Sequence, residues 1–288
     1  MGPTFSIILP TCRRPQLLAR AIDSVLAQDG RDFECIVVDD GGAEPLALPD
    51  DRRLRVVRHP RNQGLPSALN SGLEAAAGEY VTFLDDDDEL TPDRLSMTRP
   101  FLDTHDAILC WASADGPPRR INRELEGRVF DRILDTFAPP KGCLVIRREL
   151  VPQFDPRYRA LEDLDWWLRL AATVEVTTVP RVGYLVHRHT GVRGTNGPVA
   201  RVRGGQLLLE EHAEYFRTHR RATALRWRMI GVSAMNLGDR DLARQALGRS
   251  LRAHPTAGTA KRFVRAMMPS RAPRVPVDLL AVESDLNP

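Results

Sequence analysis

The 288-residue chain has little cysteine and no long apolar run, and each shortage narrows the class of protein. Its four cysteines lie far apart with no CxxC pair, which argues against a zinc site or a disulfide framework. No apolar run approaches the roughly 18 residues of a membrane span. The N-terminal FSIIL is too short, and too soon followed by PTCRRP, for a secretory signal. We therefore expect a cytoplasmic protein.

The charge of the chain is distributed unevenly. The net charge is +3, but residues 201–274 carry 16 Lys and Arg against 5 Asp and Glu, so the rest of the chain is acidic. This excess favours peripheral contact with anionic lipid headgroups at the inner membrane face, or with a polyanionic glycan. Solvated helix faces in an arginine-rich protein are the alternative. We expect no nucleic-acid partner.

Strand-like and helix-like patterns alternate through the first part of the chain, which is typical of a mostly parallel sheet flanked by helices. Strands are predicted at 5–9, 35–38, 54–57 and 80–84, and helices at 15–28 and 65–78. Ligands bind such sheets beyond the carboxyl ends of the strands. Asp39 and Asp40 follow the second strand and residues 85–88 follow the fourth, so we expect both acidic groups in one crevice.

The acidic group at 85–88 consists of four consecutive aspartates directly behind the apolar run YVTFL. Four adjacent carboxylates repel one another, and near a low-dielectric core this repulsion is costly unless a cation offsets it. Hard oxygen ligands suit Mg²⁺ or Mn²⁺, and Mg²⁺ is usually held by one or two carboxylates together with substrate phosphates. The run therefore predicts a divalent metal and a diphosphate. The alternative is an acidic cap on a helix beginning near Pro92.

A second acidic motif, EDLDWWLRLA, opens a predicted helix at Glu162. Acids are favourable at a helix start, but a carboxylate held there beside two tryptophans can also serve as a general base. The later segment VHRH supplies His187 and His189, either of which can add an imidazole to a metal site.

Together these segments carry a family resemblance. The chain resembles the family 2 glycosyltransferases in SIILPTCRRPQLLARAIDSVLAQ, ECIVVDDGG, NQGLPSALNSGLEAAAGEYVTFLDDDD, IRRELVPQFDP and EDLDWWLRLA, which occur in the order of that family. The resemblance implies the GT-A fold, an α/β Rossmann-like mostly parallel sheet flanked by helices, here with a C-terminal helical extension. It also implies transfer of a sugar from a nucleotide-diphospho-sugar, with a UDP-sugar favoured, to an acceptor hydroxyl.

The resemblance assigns the donor site residue by residue. Asp39 would accept a hydrogen bond from the ring nitrogen of the base, typically uracil, while Asp85 and Asp86 would face the ribose and diphosphate. The implied nucleotide-sugar-binding residues are Pro10, Thr11, Arg14, Asp39, Asn62, Gly64, Asn70, Asp85 and Asp86. In place of the arginine that often precedes the asparagine of the third block, this chain has Leu69, so Arg61 is the candidate phosphate contact.

The resemblance also assigns the chemistry. Asp87 and His189 would bind Mn²⁺ or Mg²⁺, with His187 as the less favoured histidine. Asp163 would be the catalytic base that removes a proton from the acceptor, with Glu162 as an acceptor contact. Attack opposite the leaving group inverts the anomeric centre without an enzyme nucleophile. The Gly-rich segment 189–198 is either a lid over the donor or a plain surface loop.

The C-terminal part predicts helices. Residues 224–255 place their apolar and small side chains as one tetratricopeptide-like helical hairpin, and one such unit cannot bury its own face. We expect a catalytic domain at 1–200, a helical extension at 201–270 that packs on it or forms a homodimer, and a flexible tail at 271–288. The acceptor is a hydroxyl, with a glycan or lipid-linked glycan as candidates.

Two alternative functions make different demands on the sequence. A nucleotidyltransferase would need a Gly-rich phosphate loop with a lysine near the first strand, and PTCRRP offers neither. A catalytically silent nucleotide-sugar-binding or scaffold protein, which would use the helical part for interactions, stays open as the second candidate.

Overall fold

The computed structural model describes residues 2–42, 44–114, 125–135, 138–187 and 197–268. The strands are β1 (Phe5–Thr11), β2 (Phe33–Asp40), β3 (Leu54–His59), β4 (Tyr80–Phe83), β5 (Glu89–Leu90), β6 (Ala107–Ala114), β7 (Leu144–Arg147) and β8 (Thr177–Val186). The helices are α1 (Pro15–Leu26), α2 (Leu65–Ala75), α3 (Glu162–Ala171), α4 (Pro198–Glu211), α5 (Ala213–Thr218), α6 (Arg220–Asn236), α7 (Arg240–Ala253) and α8 (Ala257–Met267).

The chain divides into two compact units. The sheet unit comprises Met1–Ile133, Phe137–Pro156 and Asp165–Gly191, and the helical unit comprises Leu134–Thr136, Arg157–Leu164 and Val192–Pro288. The helical unit thus includes two short stretches that precede the C-terminal helices in sequence. The predicted domain boundary at residue 200 stays a prediction.

One eight-stranded sheet, in the order β3-β2-β1-β4-β7-β6-β8-β5, forms the sheet unit. β3, β2, β1 and β4 are parallel neighbours, whereas β7 pairs antiparallel with both β4 and β6. The predicted α/β fold with a mostly parallel sheet and a C-terminal helical region is confirmed. Parallel strands end at the same edge, so the residues after β2, β1 and β4 meet there.

The two central parallel strands, β1 and β2, are rich in apolar residues because both faces of this part of the sheet are covered. Every residue of β1 and β2 is buried, as expected for strands between two helical layers. α2 packs very closely on this sheet, since a Cβ at Gly72 would lie 2.4 Å from Ile8 Cγ2. A larger residue at position 72 would therefore push α2 away from β1.

Two local predictions differ from the structure. The helix predicted at 65–78 is shorter, because α2 ends at Ala75. Gly78 lies beyond the helix, and a glycine is required there because a Cβ would lie 2.7 Å from the backbone of Phe5. Residues 92–98 form turns, so no regular helix begins near Pro92 for the acidic run to cap.

The helical unit has its own apolar clusters. α6 and α7 pack tightly at Gly231, where a Cβ would lie 2.7 Å from Leu247 Cγ. α8 contributes Ala266 to a buried cluster with Ala234, Ala243 and Leu247. None of the helices in the described part of the chain is long and apolar enough to cross a membrane.

A buried carboxylate, Glu34, connects three parts of the sheet unit. Its Oε1 accepts hydrogen bonds from Ser6 Oγ at 2.7 Å and from Ala77 N at 2.6 Å, and its Oε2 accepts one from Arg55 Nη1 at 2.8 Å. Burial raises the pKa of Glu34, but the hydrogen bonds from Ala77, Ser6 and Arg55 outweigh it, so the pKa lies below the ordinary 4.5. The ionised form is therefore the one that stabilises the fold.

Replacing Glu34 with glutamine is expected to lower the free energy of unfolding at neutral pH by about 1–3 kcal/mol, because partners of a charged acceptor are left unpaired. A lowered pKa gives stability that is present above pH 4.5 and lost as pH falls through the folded pKa. The difference in the free energy of unfolding between wild type and Glu34→Gln should therefore become smaller at acid pH. Urea unfolding across this range measures it, and Glu79→Gln, at an exposed ion pair with Arg147, should cost little at any pH.

Candidate active site

The carboxyl ends of three neighbouring strands bring polar residues to one edge of the sheet. Thr11, the last residue of β1, lies opposite Asp39 of β2 in the parallel register. On the other side of β1, Phe83 ends β4 opposite Ile8, and the aspartates at 85–88 follow directly. The register of these strands therefore brings both acidic groups to one edge of the sheet, as expected.

Asp39 is a fully buried carboxylate with one oxygen left without a hydrogen bond. Its Oδ1 accepts a hydrogen bond from Gly42 N at 2.9 Å. Its Oδ2 lies 3.3 Å from Arg58 Nε in an ion pair, but accepts no hydrogen bond from any described residue. Position 42 must be glycine for this arrangement, since a Cβ there would lie 2.6 Å from Asp39 Oδ1. A buried acceptor of this kind suits a ligand with an N–H donor.

The neighbouring Asp40 has a structural role instead. Its Oδ2 accepts a hydrogen bond from Gly64 N at 2.9 Å, and its Oδ1 accepts one from Gln63 N at 2.8 Å and contacts His59 Nδ1 at 2.8 Å. Gly64 has a positive φ of 94° and precedes α2. Asp40 therefore fixes the loop that leads into α2, and Gly64 supplies the backbone conformation this loop needs.

Asp86 accepts its hydrogen bonds from the end of β1 and from the residue before α1. Its Oδ2 accepts a hydrogen bond from Thr11 Oγ1 at 2.8 Å, and its Oδ1 accepts one from Arg14 Nη1 at 3.1 Å. Burial raises the pKa of Asp86, and the contacts with Thr11 and Arg14 oppose this shift. Arg14 Nη1 also lies 3.7 Å from Asp87 Oδ2, so this guanidinium serves both carboxylates.

Asp85, Asp87 and Asp88 form the acidic cluster. One carboxylate oxygen from each lies within 4.8 Å of the others, which is close enough for all three to share a cation. Asp88 is buried, and burial together with the Asp85 charge raises the pKa of Asp88 to about 7. These are hard oxygen ligands of the type that Mg²⁺ and Mn²⁺ prefer. The residues of the acidic cluster fit a divalent metal.

Long-range contacts hold the acidic cluster in place. Tyr184 of β8 donates its hydroxyl hydrogen to Asp88 Oδ2 at 2.8 Å, and His187 N donates to Asp88 Oδ1 at 2.9 Å. Lys141, itself almost buried, forms an ion pair with Asp85. The His187 ring lies 2.7 Å from Glu89 Oε1. His187 therefore contributes its backbone to the acidic cluster, while its imidazole pairs with a neighbouring glutamate.

Comparison with known proteins places these features in a family. Residues 6–148 match the model of glycosyl transferase family 2. The chain belongs to this family. A Campylobacter jejuni relative, GalNAc(5)-diNAcBac-PP-undecaprenol beta-1,3-glucosyltransferase, is 43% identical over 101 residues, which are 33% of this chain and 33% of the relative. The chain spans about a third of the length of the curated relatives it matches.

Two solved structures share the fold. Staphylococcus aureus TarS 1-349 in complex with UDP-GlcNAc superposes with a TM-score of 0.67 at 19% identity, covering 92% of this chain and 89% of TarS. Mannosyltransferase PcManGT from Pyrobaculum calidifontis, in complex with GDP-Man and Mn²⁺, gives a TM-score of 0.53 at 20% identity, covering 92% and 79%. The GT-A-like fold of this family 2 chain is thereby established.

The other residues predicted to bind the donor lie in different surroundings. Pro10 is buried in β1 opposite Val38. Asn62 Nδ2 lies 3.2 Å from Cys12 Sγ, at the loop before α2. Asn70 instead exchanges two hydrogen bonds with the backbone of Phe154, at 2.8 and 2.7 Å, and so anchors the 152–156 segment on α2. Its nucleotide contact stays a prediction.

The predicted base and acceptor contact open α3. Glu162 and Asp163 are the first two residues of this helix and belong to the helical unit. Asp163 Oδ1 accepts a hydrogen bond from Leu164 N at 2.9 Å. Burial lowers the pKa of Arg226 of α6, and the negative charge of Asp163 opposes this shift. His189, predicted as a metal ligand, lies outside the described residues, as do residues 189–196 of the candidate lid and the tail at 271–288.

Sequence reasoning missed four contributors: Lys141, Tyr184, Arg226 and the place of Asp88 in the acidic cluster. The run DDDD made every aspartate a candidate, but gave no signal for which carboxylates face one another. Tyr184 precedes VHRH by only a few residues, so a search for polar groups beside that segment would have found it. Nothing in the sequence around Lys141 or Arg226 distinguishes them from other basic residues.

Proposed function

We propose that this chain transfers a sugar from a nucleotide-diphospho-sugar to an acceptor hydroxyl, with a UDP-sugar as donor and inversion at the anomeric carbon. One observation carries the proposal. In a family 2 chain, the buried Asp39 carboxylate and the acidic cluster lie at the same carboxyl edge of the sheet, where one extended ligand can reach both.

The free acceptor oxygen of Asp39 favours a pyrimidine base at one end of that ligand. Its Oδ2 accepts no hydrogen bond within the described chain and is an acceptor for an N–H group. Uracil presents such a donor at its ring N3, whereas cytosine presents an acceptor there. Thr11 and Arg14, which both donate hydrogen bonds to Asp86, would line the base and ribose.

The acidic cluster, with a metal ion bound to it, favours a diphosphate at the other end of the ligand. A bound Mn²⁺ or Mg²⁺ would neutralise the charge that develops on the departing diphosphate. Asp87, together with Asp85 and Asp88, would hold this ion. Arg14 adds a fixed positive charge beside Asp87, and Lys141 holds the Asp85 carboxylate in one orientation. PcManGT, a fold relative, was solved with Mn²⁺ and a nucleotide sugar.

Asp163 acts as the base that removes the proton from the acceptor hydroxyl, and Glu162 contacts the acceptor. A carboxylate must be ionised to accept this proton, and the nearby cation Arg226 favours that state. The oxygen of the acceptor then attacks the anomeric carbon opposite the leaving diphosphate, which inverts that centre.

A lipid-linked glycan is the acceptor class we propose. The name of the C. jejuni relative states a diphospho-undecaprenol-linked glycan as its substrate. Such an acceptor resides at a membrane surface, which agrees with the basic composition of the C-terminal helices. The cytoplasmic location and a homodimer through these helices stay predictions.

The proposed donor class is tested by thermal unfolding with UDP-, dTDP- and GDP-sugars, each with Mn²⁺ or Mg²⁺. A ligand at 100 times its dissociation constant should stabilise the fold by about 2.7 kcal/mol. We expect the largest shift with a UDP-sugar and metal together. If no nucleotide sugar stabilises the chain and none is hydrolysed, the catalytically silent alternative replaces this proposal.

Replacing Asp39 with asparagine is expected to weaken UDP binding by about 10- to 150-fold, the range for loss of a hydrogen bond to a charged group. The hydrogen bond from Gly42 keeps the amide oxygen at the Oδ1 position, so an NH₂ group replaces the Oδ2 acceptor. Two donors then face each other when uracil binds. Cytosine has an acceptor at N3, so CDP should lose much less affinity than UDP.

Isothermal titration of wild type and Asp39→Asn with UDP and CDP measures this change in preference. Equal losses for both nucleotides would show that Asp39 supports the fold of the site without contacting the base. An unchanged UDP affinity would remove Asp39 from the donor site.

A further inference from the structure

The outer face of α8 exposes apolar side chains. Val264, Met267 and Met268 are 55%, 59% and 58% exposed, and only Val56 joins them among the exposed large hydrophobic residues of the described chain. The opposite face of α8 is packed, since Thr259 and Ala266 are buried and Phe263 lies against an apolar cluster. α8 is therefore amphipathic, and no described residue covers its apolar side.

Positive charge surrounds these apolar residues. α8 contains Lys261, Arg262 and Arg265, all exposed, and no acidic residue. Lys261 and Val264 lie at helical spacing along one side of α8, and Met268 follows directly after the end of the helix. A partner that covers this side must therefore accept apolar side chains and offer negative charge at the same place.

A basic cavity of about 190 Å³ lies beside α8 in the helical unit. Its lining residues are Val232, Met235, Asn236, Arg240, Arg262 and Arg265, and no carboxylate is among them. Arg240 Nη1 donates to Arg265 O at 3.0 Å, which fixes this guanidinium between α7 and α8. Its buried Nε finds no hydrogen-bond acceptor in the described part of the chain. The cavity is suited to a phosphate group, which offers several acceptor oxygens.

We propose that α8 is a docking face for an anionic lipid bilayer. Val264, Met267 and Met268 enter the boundary between headgroups and acyl chains, while Lys261 and Arg265 meet the charged headgroups. The cavity at Arg240 and Arg262 binds one lipid phosphate. An amphipathic helix with basic residues and a few exposed apolar ones lies on a membrane surface in this way. The docking does not depend on the proposed sugar transfer.

Cosedimentation of the full chain with vesicles tests the docking face. We expect binding to phosphatidylcholine vesicles containing phosphatidylglycerol, weak binding to phosphatidylcholine alone, and loss of binding as salt rises. Loss of one cation near the surface should weaken binding about fivefold. Lys261→Gln, Arg265→Gln and Arg240→Gln should each show this loss, and the double variant Met267→Ser with Met268→Ser should weaken binding at least as much.

Matched controls are available elsewhere in the chain. Val56→Ser removes an equally exposed apolar residue of β3, and Arg217→Gln removes an exposed cation of α5. Both should bind vesicles as the wild type does, and UDP affinity should be unchanged in all of these variants. That last measurement keeps a failure of docking separate from a failure of the donor site.

Four results would overturn the docking proposal. In the first, the α8 variants bind vesicles as the wild type does. In the second, Val56→Ser loses as much vesicle binding as the α8 variants. In the third, inorganic phosphate at equal ionic strength removes all vesicle binding, which would identify the cavity as a site for a soluble anion. In the fourth, the wild type is a dimer, and the double methionine variant is a monomer that does not bind vesicles. That result would mean that a second copy of the chain covers this face.

Discussion

Replacing Asp163 with asparagine is expected to abolish sugar transfer while nucleotide binding stays near that of the wild type. The change removes the group that accepts the proton of the acceptor hydroxyl, and such a base contributes about 10²- to 10⁴-fold to the rate. Asparagine keeps the side-chain volume, and its oxygen can still accept the hydrogen bond from Leu164 N at the start of α3. The loss should therefore appear in kcat and leave the dissociation constant of UDP with Mn²⁺ unchanged.

Asp165→Asn is the matched control for this experiment. Asp165 lies two residues further along α3 and pairs with Arg169 through its Oδ2. Its replacement should lower the stability of the fold, since the carboxylate is buried, but turnover by the folded fraction should persist. Full activity in Asp163→Asn, or an equal loss of turnover in both variants, would contradict the assignment of the base.

Replacing Asp87 with alanine is expected to remove the metal dependence of nucleotide binding. In the wild type, Mn²⁺ should strengthen UDP binding because the ion offsets the repulsion between the diphosphate and the three carboxylates of the acidic cluster. Loss of Asp87 should weaken UDP binding in Mn²⁺ buffer by about 10- to 100-fold, a range known for weakened metal sites. Titrations of UDP with Mn²⁺ and with a chelator compare the two conditions directly.

Glu89→Gln gives the matched control, because Glu89 is the next acid after the acidic cluster and pairs with Arg20 and His187 instead. Its UDP binding should keep the metal dependence of the wild type. A wild type that binds UDP equally with Mn²⁺ and with the chelator would contradict a metal at the acidic cluster, whatever the variants do.

Much of the sheet unit could be predicted because its signals are local. The strands β1, β2 and β4 are buried along their whole length, so each contains a run of mainly apolar residues. α1 and α2 show helical spacing of their buried side chains. The antiparallel pairing of β7 between β4 and β6 has no such signal, because it is set by packing between segments far apart in the chain.

The candidate site was predictable to the level of its residue types. Parallel strands ending at one edge placed Asp39 near residues 85–88, and the family resemblance supplied the roles. The sequence could not indicate that Asn70 is occupied by the backbone of Phe154, a residue 84 positions away. Nor could it reveal the ion pair of Lys141 with Asp85. Each contact depends on a fold that brings distant segments together.

The sequence by itself determined that four aspartates follow a buried strand and that their charge requires compensation. Only the tertiary structure decided how the four divide, with Asp86 turned to Thr11 and Arg14, and Asp88 held by Tyr184 and the backbone of His187. The physical reason is that consecutive side chains in a turn can point in several directions. Hydrogen-bond donors brought in from β1 and β8 select one direction for each.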